Sequence, residues 1–140
     1  MEAQQLAEKV VERMYSHDPF SRWLGIERLR VGPGACSLRM RVREEMLNGF
    51  GIAHGGICYA LADSALAFAA NSHGTQAVSI ETSITHTRPV NVNDVLMATA
   101  EEVNKGKRFA TYHVRITDAD GRAVALFKGT VFRNGLSWEL

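Results

Sequence analysis

The stretch Asn48–Ser72, NGFGIAHGGICYALADSALAFAANS, decides how the rest of the chain is read. It opens on a glycine-rich turn and runs into a segment that is apolar on nearly every face. The spacing predicts a helix from about Gly55 to Asn71, closed by His73-Gly74 as a C-terminal glycine cap. A helix apolar all round is normally buried. A carboxylate without a partner is costly in such a place, yet Asp63 stands in the middle of this helix. The chain sets a charge inside an apolar segment, two turns beyond a glycine turn rich in backbone N–H groups. That pairing asks for a functional explanation.

Outward from this stretch the pattern is mostly strand. Glu2 to about Ser16 carries Leu6, Val10, Val11 and Met14 at the spacing of one helical face, and His17-Asp18-Pro19 breaks it. Phe20–Trp23 reads as a short helical turn. Leu24–Val31 and Ala35–Val42 read as strands joined by the turn Gly32-Pro33-Gly34. In the second, Cys36, Leu38, Met40 and Val42 alternate with polar residues, the mark of a half-buried strand. Arg43–Ala53 reads as loop. Beyond the helix, Gln76–Thr87, Asp94–Val103, Phe109–Thr117 and Arg122–Arg133 read as four strands. Asn104-Lys105-Gly106-Lys107 and Asp118-Ala119-Asp120-Gly121 supply turns between them. Strands joined by short turns pair antiparallel, and one apolar helix needs a sheet face to cover it. The predicted fold is α+β: a curved antiparallel sheet of about six strands wrapped around a long central helix.

Length and composition bound the function. A chain of 140 residues with 46% hydrophobic and 22% charged residues is expected to form one domain, 1–140, with a core that needs no metal or disulfide staple. The net charge of +1 gives no footprint for nucleic acid. No apolar run approaches the ~20 residues that span a bilayer, and the N-terminus has no apolar signal core. The two cysteines, Cys36 and Cys58, fit neither a metal spacing nor a disulfide framework. The five histidines show no ligand spacing. A reduced, cytoplasmic chain without metal or cofactor is the simplest expectation. Gly49-x-Gly51-x-x-x-Gly55 is a poor dinucleotide fingerprint without βαβ alternation downstream, and no G-x-S-x-G elbow is present.

The candidate chemistry lies at the turn and on the helix. His54-Gly55-Gly56 sits where the helix begins, and the first helical N–H groups have no partner inside a helix. They suit an anion or a polarised carbonyl oxygen, and glycine lets a ligand approach them closely. This is the makeup of an oxyanion hole; a plain turn entering a helix accounts for the same residues. Asp63 reads as a general base or nucleophile, or else as an aspartate capped by Ser64 or facing water. The amide of Asn48 can orient a water or a carboxylate, or serve only the loop. Gly55 and Asp63 are eight residues apart, so along one helix they are roughly 12 Å from each other. They cannot both touch one reacting carbonyl. If both act, Asp63 must come from a second chain, through two antiparallel central helices in an isologous dimer with two shared sites. Arg88-Pro89 ends a strand, and Lys105, Lys107 and Arg108 cluster in a turn. A solvated hairpin and a dock for nucleotide phosphates both fit them.

These residues carry a resemblance. Leu47-Asn48-Gly49, Ala53-His54-Gly55-Gly56, Ala62-Asp63-Ser64-Ala65 and Asn71-Ser72, with Thr87-Arg88-Pro89, Gly106-Lys107 and Val124-Ala125-Leu126-Phe127-Lys128-Gly129 downstream, resemble the hotdog-fold acyl-CoA thioesterases. Within them the chain is most similar to the phenylacetate-pathway (PaaI-type) thioesterases, over roughly Met46–Arg133. The resemblance implies the hotdog fold and hydrolysis of an aryl-acetyl or hydroxylated aryl-acetyl coenzyme A thioester. It implies dimers with sites at the interface, usually paired into tetramers. By position, Gly55 N–H polarises the thioester carbonyl, and Asp63 of the other subunit activates water or attacks directly. Asn48 orients that water or the carboxylate, while His54 supports the turn and Gly56 lies beside the substrate. Phe68, Thr82 and Ser83 line the acyl pocket. Arg88, with Pro89 beside it, and Lys105, Lys107 and Arg108 are candidates for the nucleotide phosphates. Some relatives carry a threonine or serine one turn after the acidic residue, where this chain has Ala67. Two rivals remain open: a hotdog dehydratase or hydratase using His54 with Asp63, and a non-catalytic acyl-CoA-binding module.

Overall fold

The long helix Gly55–Asn71 is the axis of the molecule. The computed structural model describes residues 1–140. The chain order is α1 (Ala3–Ser16), α2 (Pro19–Trp23), β1 (Glu27–Gly32), β2 (Ala35–Arg41), a 3-10 turn (Glu44–Met46), α3 (Gly55–Asn71), β3 (Thr75–His86), β4 (Val95–Lys105), β5 (Phe109–Thr117) and β6 (Ala123–Ser137). All six strands form one sheet in the order β1-β2-β4-β5-β6-β3, every neighbouring pair antiparallel. The curved antiparallel sheet around a central helix expected from the residues, and the hotdog fold that the resemblance implied, are the arrangement observed. Consecutive strands β3 and β4 are not neighbours. The helix carries the chain across the sheet, β3 forms the far edge beside β6, and residues 87–94 lead back to β4 beside β2.

Period-two alternation turns one face of each strand onto the helix. Leu38 and Met40 of β2, Leu96 and Ala98 of β4, Tyr112, Val114 and Ile116 of β5, and Phe127 and Val131 of β6 are buried there. They meet Leu61, Ala62, Ala65, Leu66 and Ala69 of α3 in a single core. Contact is closest at Gly129 on β6, where a Cβ would lie 2.6 Å from Leu66 Cδ2 and 3.3 Å from Thr82 Cγ2. The amphipathic α1 lays Ala7, Val10 and Val11 inward, and Tyr15 Oη donates to Ile26 O at 2.6 Å.

The helix is not enclosed all round. Gly56, Tyr59, Ala60, Asp63, Ser64 and Ala67 form an open or half-buried stripe at the spacing of one helical face. The sheet covers only the opposite side, and within one chain the stripe is bordered by α2, which touches it at Ser64 through Ser21.

The C-terminal end of α3 is firmly tied. The buried Asn71 side chain donates to Ala67 O and Ala77 O and accepts from Ala77 N–H and the Trp138 indole N–H, all within 3.0 Å. Ser72 Oγ accepts from Gly34 N–H and donates to Ala69 O, both at 2.7 Å. His73 Nε2 lies 2.7 Å from Glu102 Oε1, and the buried Tyr112 hydroxyl donates to the same oxygen.

Several boundaries differ from those predicted. β1 starts at Glu27 rather than Leu24, because Gly25 turns at φ +75° and Leu24 and Ile26 drop into the core. Asp94 stays outside β4 and caps the preceding turn at Asn91 N–H. β6 runs on to Ser137, which pairs with Thr75.

Two substitutions test this packing. Gly129→Ala overpacks Leu66 and is expected to lower stability by about 1–3 kcal/mol. Asn71→Leu strands the Ala77 and Trp138 groups and is expected to remove about 2–5 kcal/mol. Urea unfolding reads both, as a lower midpoint at an unchanged slope.

Candidate active site

His54 is the N-cap of α3, and its Nδ1 accepts the Gly56 N–H at 2.9 Å. Its own N–H donates to Met46 O at 2.9 Å, and its carbonyl takes the Ile57 N–H. His54 thus builds the helix start and also uses up the Gly56 donor, which cannot then reach a ligand. The Gly55 N–H is left without an acceptor in the chain. It is a free donor at the positive end of the longest helix.

Asn48 sits in the loop before this turn. Its Oδ1 accepts from Phe50 N–H at 2.9 Å and from Ile52 N–H at 3.4 Å. Gly51 N–H donates to Asn48 O, and Asn48 N–H to Ile52 O. With the carbonyl oxygen holding the loop, the amide NH2 is the group left to meet a ligand, and it can only donate. Phe50, at the loop tip, is 90% exposed.

The free Gly55 N–H opens on a cleft of about 370 Å³ that also takes in Asn48, Cys58, His86, Arg88 and Pro89. The imidazole of His86, at the end of β3, lies against Gly55: a Cβ there would be 3.2 Å from Nε2. Burial pushes the Cys58 thiol up to about 11, so it stays protonated and is a poor nucleophile.

Asp63 belongs to a different cleft, also about 370 Å³, with Asp18, Phe20, Tyr59, Ser64 and Ala67 around it and Gly56 at one end. Its side chain faces solvent in the single chain rather than the dry interior expected of an apolar helix. The protein around it still raises its pKa, chiefly by burial and further by the nearby Asp18 charge. Asp18 is fixed there as the N-cap of α2, accepting from Ser21 N–H at 2.9 Å and Ser21 Oγ–H at 2.7 Å; Ser21 Oγ lies 2.8 Å from Ser64 Oγ. One chain therefore carries the two groups in two clefts, as their spacing along the helix requires.

The remaining candidates separate. Thr82 faces the helix, its Oγ1 hydrogen-bonded to the Tyr59 hydroxyl. Ser83, one residue on, points to the other face of β3, where it is exposed beside Lys128. Phe68 is 1% exposed, packed in the core edge-on to Tyr15 at 6.3 Å, and opens on neither cleft. Lys105, Lys107 and Arg108 lie in the β4–β5 turn at the end of the sheet opposite to Arg88. Arg133 holds that turn through Gly106 O and Lys107 O. The four cations do not form one patch on one chain.

His86, Tyr59 and the α2 residues Asp18 and Phe20 were not among the sequence candidates. His86 and Gly55 meet only because β3 ends over the start of α3, which strand order decides. Asp18-Pro19 does carry a readable signal, an N-cap followed by proline.

Comparison with known proteins gives this geometry its family. Residues 50–125 match the family model described as the thioesterase superfamily. The chain is 38% identical to the acyl-coenzyme A thioesterase PaaI of Escherichia coli over 87% of each chain. Superposed on the structure of that PaaI protein, from the phenylacetic acid degradation operon, it gives a TM-score of 0.95, covering 97% of this chain and 99% of the other. Human acyl-coenzyme A thioesterase 13 is 31% identical over 84% of this chain and 86% of its own. The Streptococcus mutans protein smu.793, solved bound to acetyl-CoA, is 25% identical with a TM-score of 0.78, over 81% of this chain and 91% of the other. A free amide at the start of the central helix, a carboxylate on its open face and these likenesses together place the chain in the thioesterase superfamily, as a hotdog-fold acyl-CoA thioesterase of the PaaI type.

Proposed function

We propose that the chain hydrolyses aryl-acetyl-CoA thioesters, of the phenylacetyl or hydroxyphenylacetyl kind, to the free acid and coenzyme A at sites shared between two copies. The observation that carries this reading is the division of labour on one chain: an unpaired Gly55 N–H in one cleft and the Asp63 carboxylate in another. Neither cleft holds a complete site. A two-fold axis near Tyr59, midway between residues 55 and 63, sets each Gly55 against the partner's Asp63. The surfaces suit such a contact. The stripe around Tyr59 contains Gly56, Ala60, Ser64 and Ala67, small enough for close helix approach. β3 leaves one edge unpaired and exposes Val78 and Ile80, and an open edge is a template for another strand. Pairing of such dimers into tetramers is part of the same proposal.

In the assembled site the thioester carbonyl oxygen accepts from Gly55 N–H. The Asn48 amide NH2 donates to the attacking water or to the partner's Asp63. The carboxylate takes a proton from the water as its oxygen adds to the carbonyl carbon. The carbonyl pair moves onto oxygen, held by the helix amide. Collapse breaks the C–S bond and the coenzyme A thiolate leaves. A raised pKa makes Asp63 a stronger base than an ordinary carboxylate. Phe20 and Tyr59 with Ala60 and Ala67 give its cleft two aromatic walls and a shallow floor, suited to an aryl ring. The PaaI relative's operon supports the same substrate class. Arg88 beside the Gly55 cleft is the cation best placed for the nucleotide tail. A base at Asp63, away from His54, whose Nδ1 is held by the Gly56 N–H, also favours hydrolysis over hydration.

Thiol release from a panel of acyl-CoAs tests the reading. Asp63→Asn is expected to lose about 10²–10⁴-fold in kcat, and an unchanged rate removes the role of Asp63. Mixing inactive Gly55→Val with inactive Asp63→Asn chains is expected to restore about a quarter of wild-type activity, since half the dimers carry one intact site of two. No recovery argues against shared sites. Because the Asp18 charge raises the Asp63 pKa, Asp18→Asn lowers it; the acid limb of the kcat profile is expected to move to lower pH.

A further inference from the structure

His86 is the one imidazole in the Gly55 cleft, and nothing in the fold employs it. Of the five histidines, His17, His54 and His73 engage ring nitrogens in hydrogen bonds within the chain; His86 and His113 do not, and of these two only His86 borders the cleft. Its ring is nonetheless well placed. The ring edge turned toward Gly55 is Nε2, 3.2 Å from the Cβ position, with Cε1 at 3.5 Å and Cδ2 at 3.9 Å. The backbone on either side is fixed. His86 pairs with Ala125 at the end of β3, and Thr87 donates from N–H to Val124 O at 2.9 Å and from Oγ1 to Ala123 O at 2.7 Å. Ala53 N–H donates to Val90 O at 2.7 Å, tying the glycine turn to the segment that follows His86.

The distances allow one oxygen to meet both groups. The Cβ position and amide nitrogen of one residue lie about 2.5 Å apart, which puts Nε2 within about 5.7 Å of the Gly55 nitrogen. An oxygen accepting from two nitrogens at about 2.9 Å each bridges up to about 5.8 Å. We infer that His86 Nε2–H is a second donor to the thioester carbonyl oxygen, alongside Gly55 N–H. The inference rests on the thioesterase reading of this cleft. The free helix amide is a single donor, because His54 takes the Gly56 N–H. A tetrahedral oxyanion has lone pairs for more than one hydrogen bond, and the ring at the end of β3 fills that place. As the water oxygen adds to carbon, the carbonyl pair moves onto oxygen and His86 holds the charge without giving up its proton. The arrangement gives glycine at position 55 a reason: a Cβ there would press on the imidazole at 3.2 Å from Nε2.

The test is steady-state turnover of the best acyl-CoA by wild type, His86→Phe, His86→Leu and His86→Gln, each shown by light scattering to keep the wild-type assembly. The two apolar variants remove the donor at different bulk, so one remains if the other fails to fold; His86→Gln keeps an N–H donor. Removing one oxyanion donor is expected to lower kcat about 100- to 1,000-fold at a KM within about threefold of wild type. His86→Gln is expected to recover most of the loss. A thioether analogue of the substrate, which lacks the carbonyl oxygen, is expected to bind wild type and variants alike. Apolar variants with kcat within about twofold of wild type overturn the inference and leave the thioesterase reading standing. So does a loss equal in all three variants or confined to KM. A wild type that turns over no acyl-CoA overturns both.

Discussion

The first amides of a helix cannot be satisfied from within it, and the site grows from how this chain answers that constraint. His54 accepts one of them and leaves its neighbour, Gly55 N–H, free. The choice of residue matters. A serine or aspartate cap would satisfy an amide as well, but the imidazole reaches back over Gly56 with its ring standing beside the helix axis, where a Cβ on Gly56 would be 3.1 Å from Nδ1. Both glycines of the pair are thus set by what crowds them, one by His54 and the other by His86. The loop before them is closed by the Asn48 side chain, so the whole approach to the helix is held by polar groups that already have partners. The Gly55 N–H, the Asn48 amide NH2 and the His86 ring are left without partners in the chain, and all three border one cleft.

The same helix must fill the core on one side and remain accessible on the other. Alanines at 62, 65, 69 and 70, with Leu61, Leu66 and Phe68, satisfy the inner side. The outer stripe is built from small residues around Tyr59, with one carboxylate among them. A helix of this kind has little amphipathic contrast, since its outward residues are nearly as apolar as its inward ones. That is the makeup of a surface meant to be covered by something other than water.

Much of this was legible in the residues. The boundaries of α3 follow from Gly55 and from His73-Gly74, and the alternation of Cys36, Leu38 and Met40 gives β2 its inward face. The placement of Gly55 and Asp63 in separate clefts follows from helix rise alone. What could not be read depends on contacts distant in the chain. Period-two logic predicts that Thr82 and Ser83 cannot share a pocket, but not which of them faces the helix. Phe68 carries the right chemistry for an acyl pocket and the wrong rotational position on the helix, because α1 packs over it. Lys105, Lys107 and Arg108 lie far from Arg88, since β4 runs away from the end of the sheet where β3 finishes. His86 is the sharpest case: 31 residues separate it from Gly55, and only the crossing of β3 to the far edge brings the two together.

The fastening of α3 is uneven along its length. At the C-terminal end Asn71, Ser72 and His73 bind it to β3, to the β1–β2 turn, to β4 and to the indole of Trp138. At the N-terminal end a few backbone bonds and one imidazole hold it, beside a loop whose tip carries an exposed phenylalanine. Local unfolding free energies rise with buried contacts and protected hydrogen bonds, so the helix is fastened like a cantilever, more tightly at Asn71 than at Gly55. The amides of Phe50 to Gly56 are therefore expected to exchange with solvent more readily than those of Ala69 to Asn71. The end that must admit a substrate and let two products go is the end the fold fastens with fewer buried bonds.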